Sequence, residues 1–319
     1  MKWRNTNTTK DINIITTQMT ILFIIMALGY LVFKLKIVDE SFSKKFSSLV
    51  INLTMPAMLL SSVLEITERQ STFDVLLALC IAFVMFFIIL PLAGLVLVKI
   101  FRIKRASSGL YIFMTAYSNV GFMGFPVIEA LSGPVGLFYA AIYNLMFNLA
   151  IFTLGVWLMN KDKPQKAGFD FKLLLTPGVI AALFSIILYF INVKPPALIC
   201  ETIKSVGSIT SPSAMLIIGC TLAKMDIKSV FSDWKIYPWT IVKQLVIPIL
   251  LWIPLSMIIT NETLLTVTFI LFAMPVANNA VLFANMYDGD SSLAARSVFI
   301  TTLFSLVTVP ICVWIVQFI

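Results

Sequence analysis

The stretch Thr115-Ala-Tyr-Ser-Asn119-Val-Gly121-Phe-Met-Gly124-Phe-Pro126 lies inside an apolar run long enough to cross a bilayer. Later in the chain, Ala273-Met-Pro275-Val-Ala-Asn278-Asn279-Ala does the same. Each places proline and asparagine in the middle of a span. Proline removes a helix donor and clashes with the preceding turn, and the two glycines lower helix propensity further. Polar backbone freed at that depth is tolerated only where it is buried in protein or lines a wet cavity. Both spans are therefore expected to be broken helices, interrupted over Asn119 to Pro126 and over Pro275 to Asn279.

The rest of the sequence sets these two stretches in a membrane. Of 319 residues, 60% are hydrophobic and 12% charged, and the mean hydropathy is +0.99. A soluble domain carries about twice that share of charge. Apolar runs fall near 14–33, 46–64, 75–98, 107–131, 135–159, 173–193, 198–222, 236–259, 263–286 and 293–318, which predicts an all-α membrane protein of ten transmembrane helices. No separate soluble domain fits in the remainder. The polar lead before the first run lacks a small-residue cleavage site, so no removed leader is expected.

Charge placement predicts the orientation. Of the 23 Lys and Arg residues, sixteen fall in the odd-numbered loops, and cytoplasmic loops collect such cations. The odd loops are then cytoplasmic, both termini are extracytoplasmic, and 160–172 is a cytoplasmic linker. With its cations in loops, the net charge of +8 does not point to nucleic acid. The four cysteines lack metal-ligand spacing, and the chain has no histidine. Neither a metal nor a cofactor is expected.

Sliding the chain against itself by 156 residues lays Thr54 on Thr210, Pro56 on Pro212, Gly133 on Gly289 and Leu137 on Leu293. Two halves follow, 1–159 and 173–319, each with five spans. Five is odd, so the second half enters the membrane upside down relative to the first. Such inverted repeats mark secondary transporters. The half-helices of the fourth and ninth spans would cross near the midplane and turn positive dipole ends toward an anion.

Other polar positions have competing readings. Asn144 and Asn148, four apart with Gly155 beyond, form a stripe facing the protein interior, either site or packing. Ser48, Asn52 and Pro56 in the second span, and Ser208, Ser211, Pro212 and Gly219 in the seventh, read as structural contacts. Lys243 is the formal charge well inside a span. It either snorkels to the headgroups or serves in gating or anion attraction. Glu129, past Pro126, is a solvated helix end or a carrier of a coupling proton. Gly121 to Gly124 is too short for a nucleotide loop.

Ser118 through Pro126 resembles the fourth-helix motif of the auxin efflux carrier family, which includes bacterial malate and malonate permeases. Ala273 through Ala284 resembles its ninth-helix motif. Asn52 to Ala57, Tyr143 to Gly155 and Pro212 to Gly219 resemble its second, fifth and seventh helices. The resemblance covers nearly the whole chain, although Asn285 stands where the family often has a charged residue and the long cytoplasmic loop of plant members is missing. It implies a bile-acid-symporter-like fold, with a scaffold of helices 1, 2, 6 and 7 and a transport domain of helices 3–5 and 8–10. It also implies a homodimer and an organic carboxylate bound at the crossing of helices four and nine.

The expected function is secondary transport of an organic carboxylate by elevator-like alternating access, with a proton or sodium as candidate coupling ion. The expected site comprises Asn119, Gly121, Gly124, Pro126, Asn144, Asn148, Pro275, Asn278 and Asn279. An anion channel and a carrier of a non-carboxylate metabolite are the alternatives. An enzyme is not expected, since no nucleophile has a base at a recognisable spacing.

Overall fold

A computed structural model describes residues 8–66, 70–160, 177–191, 195–224, 231, 233–287 and 289–316. Most of the expected linker, 161–172, lies outside these. The described chain is helical: α1 (Thr8–Lys34), α2 (Glu40–Leu64), α3 (Thr72–Ile100), α4 (Arg105–Ala116), α5 (Val120–Asn160), α6 (Pro177–Ile191), α7 (Ala197–Ala223), α8 (Ile236–Ile258), α9 (Glu262–Ala273), α10 (Asn279–Met286) and α11 (Ser291–Val316). Seven of these are long and apolar enough to cross a membrane, and α6 and α9 are shorter apolar helices.

The long helices turn large apolar side chains outward. Leu198, Leu250 and Met257 are 80%, 63% and 81% exposed. A patch of that kind is costly in water and natural against lipid. The centre is closed instead by aromatic rings: Phe86 meets Tyr117, Tyr143, Phe147 and Phe272, mostly edge to face.

Small residues let helices touch backbone to backbone. A Cβ on Gly29 of α1 would sit 2.3 Å from the Leu216 carbonyl oxygen of α7, and one on Gly219 would sit 2.0 Å from that of Met26. The pair makes α1 and α7 a close-packed unit. Within α5, Gly133 takes φ 57° and ψ −153°, so the 41 residues of α5 are two helical pieces joined at a sharp kink. Proline follows at 134.

Prolines inside the helices are accommodated rather than disruptive. Among the described residues, π turns occur at Val50–Thr54, Met85–Ile89, Val120–Gly124, Ile151–Gly155 and Val242–Val246. Pro56, Pro91, Pro126 and Pro248 each lie two residues beyond one of them. The widened turn moves aside the carbonyl that the proline ring would strike, and it absorbs the missing donor. This corrects the expected break over Asn119 to Pro126. The helix runs through Pro126, and the chain leaves helical geometry earlier, at Tyr117 to Asn119.

Candidate functional site

Helix α4 ends when Tyr117 takes φ −111° and ψ 94°. The chain stays extended through Ser118, and Asn119 then caps the first turn of α5, its Oδ1 accepting from the Phe122 N–H at 3.1 Å. Helix α9 ends the same way: Met274 is extended at φ −60°, ψ 153°, and Pro275 cannot donate. The two extended segments pair antiparallel, Ser118 against Val276. The Asn119 N–H donates to the Pro275 carbonyl at 2.7 Å, and the Ala277 N–H donates to the Tyr117 carbonyl at 3.1 Å. Part of the backbone released by each broken helix is thus satisfied by the other, as burial at this depth demands.

Because both segments restart as helices within a few residues of the bridge, the amino ends of α5 and α10 both open at the crossing. Several first-turn N–H groups are already capped, those of Val120, Phe122, Ala280 and Val281 among them, so what the two ends offer an anion is chiefly the positive end of each dipole.

Three side chains add donors. Asn119 is 4% exposed; its Oδ1 is spent on the cap, and its Nδ2 has no partner. Asn144, 3% exposed, also has an unpartnered Nδ2. The two amides border one region: a Cβ on Gly121 would lie 3.8 Å from Asn144 Oδ1 and 3.1 Å from Met55 Cε of α2. Lys243, in the π turn of α8, is 1% exposed. Its ammonium donates to Ser118 Oγ at 2.8 Å and to the Met274 carbonyl. The snorkelling reading of Lys243 is therefore overturned: the stem runs inward and the charge sits on the crossing itself.

The remaining expected residues divide clearly. Pro275 is buried in the pairing segment, and Asn278 and Asn279 are half-buried at the start of α10. Gly124 packs against Leu271 and the Asn119 carbonyl, and a Cβ there would lie 2.6 Å from Leu271 Cδ2. Pro126 is buried in the helix beyond it. Asn148 is half-buried and donates to the Asn144 carbonyl at 2.7 Å, a local bond within its own helix. Glu129 is exposed and ten residues down α5 from Asn119, roughly 15 Å by helical rise. It does not join the crossing.

Sequence reasoning passed over several contributors. Thr301 of α11 accepts from the Val276 N–H at 3.1 Å through its hydroxyl, and its carbonyl accepts from Gln244 Nε2 at 2.9 Å. Tyr143 shares a 2.6 Å hydrogen bond with Thr268. The signal was present as adjacent Lys243-Gln244 in an apolar span and as the Thr301, Ser305 and Thr308 stripe in α11, all buried.

Fold and site define a polytopic α-helical membrane protein with a donor-rich, cationic centre. A family model described as "Membrane transport protein" matches residues 14–170 and 166–313. The chain belongs to that family, the auxin efflux carriers, and is a transmembrane transporter rather than an enzyme. It is 28% identical over 303 residues to an uncharacterized transporter of Methanocaldococcus jannaschii, covering 92% of this chain and 96% of that one. It is 24% identical to the uncharacterized transporter YfdV of Escherichia coli K12, covering 92% and 95%. A protein of Rhizobium meliloti named "Putative malonate transporter" is 24% identical over 214 residues, covering 64% and 66%.

Proposed function

We propose that this transporter carries an organic carboxylate by alternating access, with the anion bound where α4–α5 and α9–α10 cross. The observation that carries the reading is the concentration of donors and positive charge around the crossing, two buried amide nitrogens being unpartnered among the described residues. Two unpartnered amides, two helix amino ends and one ammonium converge there, and a carboxylate is acceptor-only. The relative named for malonate supports the same substrate class.

The reading includes ten spans in two inverted halves, 1–159 and 173–319. The fourth span is α4 plus the first piece of α5, the fifth is the rest of α5, and the ninth is α9 plus α10. Two features support the duplication. A π turn with proline two residues beyond occurs at 85–91 and recurs at 242–248, close to the spacing of the sequence repeat. The paired segments run antiparallel about Ser118 and Val276, as a twofold axis in the membrane plane requires. Helices from both halves would move as one body against α1, α2, α6 and α7, which border the crossing through Met55.

The test is malonate binding and thermal melting of purified Asn119→Ala and Asn279→Ala. A lost hydrogen bond to a charged ligand is worth about 1.5 to 3 kcal/mol, so affinity should fall roughly 10- to 150-fold in both variants; melting should stay near wild type in Asn279→Ala and fall in Asn119→Ala, which also loses its helix cap. Asn52→Ala is the control, since Asn52 is exposed and bonded to Ser48. Equal affinity losses in all three, or losses in melting alone, would place the site elsewhere.

A further inference from the structure

An anion that leaves water for a buried site needs a counter-charge, or the desolvation cost stands uncompensated. That charge is either an ion carried in with the substrate or one built into the chain. The crossing already holds a cation. Lys243 ends in an ammonium with three donor directions. One is spent on Ser118 Oγ of the first broken helix and one on the Met274 carbonyl of the second. An oxygen from each side of the crossing thus faces one positive centre, the arrangement a small bound cation would take between them. No partner for the third is found among the described residues.

Among the described residues no acidic side chain lies within ion-pair distance of Lys243. The charged residues on the helices packed around it are Arg105 at the start of α4, Glu262 at the exposed start of α9 and Arg296 near the start of α11, where its Nε donates to the Ser292 carbonyl. The uncharged titratable groups on these elements include Tyr111, whose ring meets Trp239 of α8, Tyr117, whose hydroxyl donates to the Ala150 carbonyl, and Cys312, whose thiol is spent on the Gln244 carbonyl. A buried charge without a partner is destabilising on its own account. Its retention in a position that touches both broken helices fits a site completed by an anion.

We infer that Lys243 is the resident cation of this transporter. Its ammonium does the work of a co-bound sodium ion, tying the two broken segments together and offering its third N–H to one carboxylate oxygen. The inference rests on the carboxylate reading above for its ligand, but not for its structural half. Lys243 and both of its partners belong to the same moving body in that reading, so the cation travels with the site.

The experiment uses the full chain, purified, as wild type, Lys243→Met and Lys243→Ala. Thermal melting is measured without any carboxylate in sodium chloride and in choline chloride of equal ionic strength. Malonate affinity is then measured in both salts. The wild type should melt identically in the two salts and bind malonate equally in both. Lys243→Met, which keeps the length of the side chain and removes the charge, should bind malonate roughly 10- to 150-fold more weakly. Lys243→Ala should melt lower than wild type and recover part of the loss in sodium, because the Ser118 and Met274 oxygens are freed for an ion.

Sodium-dependent melting or binding in the wild type would overturn the inference, as would wild-type affinity in Lys243→Met. If either variant fails to fold, the wild-type salt comparison still decides. If the wild type binds no carboxylate in either salt, the carboxylate reading fails. The melting comparison then judges Lys243 alone, and a sodium-stabilised wild type sinks it.

Discussion

Asn144 and Asn148 stand one helical turn apart in α5 and looked equivalent as a polar stripe. Their amides have different fates. Asn148 Nδ2 reaches back to the Asn144 carbonyl, while Asn144 Nδ2 is buried without a partner. Only the second has a donor to give a ligand. Asn144→Ala should therefore weaken malonate binding about tenfold or more, and Asn148→Ala several-fold less; titration of both variants beside wild type checks the order. The same accounting separates Asn119 from an ordinary cap. A cap uses one oxygen of the side chain, and here that choice leaves the amide nitrogen buried and without a partner among the described residues. Asparagine was legible in the sequence as a polar group at membrane depth. Which of its atoms is spent depends on the turn it caps, and that is a property of the fold. Lys243 makes the point more sharply. Its distance from the end of the span suggested an escape to the headgroups, but the rotation of α8 sends the stem toward Ser118, and one residue of helical phase decides between the two.

At the level of helices, membrane-length apolar runs announced themselves by composition, and the prolines announced irregularity. The kind of irregularity was hidden. A proline preceded by a π turn leaves the helix continuous, so Pro126 marks a bulge, whereas the true break at Tyr117 and Ser118 carries no breaker residue of its own. It exists because the partner segment supplies the hydrogen bonds, a long-range cause with no local signature. Glycines are similarly divided by context. Gly29→Ala would drive a methyl into the Leu216 backbone, so the α1–α7 contact should open at a cost of about 1 to 3 kcal/mol. Gly133→Ala meets open space and pays only for a positive-φ backbone that side chains rarely adopt, about 1 to 3 kcal/mol. Melting curves of the two in the same detergent should both fall, with a change of α1 accessibility to protease in Gly29→Ala alone.

For the molecule as a whole, orientation decides which way the site opens first. Cations favour the odd loops by sixteen to six, with Lys243 inside α8, so both ends should face outward. In a background without Cys80, Cys200, Cys220 and Cys312, an impermeant thiol reagent added outside intact cells should modify Thr6→Cys and spare Gln165→Cys. The opposite pattern reverses the topology. Net charge then sets the driving force. A monoanion beside a charged Lys243 makes a neutral loaded site, so the membrane potential acts on the empty return, worth about 2.3 kcal/mol per charge per 100 mV. A dianion would instead carry one net negative charge across.

The backbone pairing of Ser118 with Val276 also has a consequence for biosynthesis. The two strands of that bridge are about 160 residues apart in the chain, and synthesis proceeds at about 5–20 residues per second. For roughly 8 to 30 s after Ser118 leaves the ribosome, the N–H of Asn119 and the carbonyl of Tyr117 have no chain to meet. A nascent first half must wait in the insertion machinery, or in a water-filled fold of its own, until α9 arrives to close it.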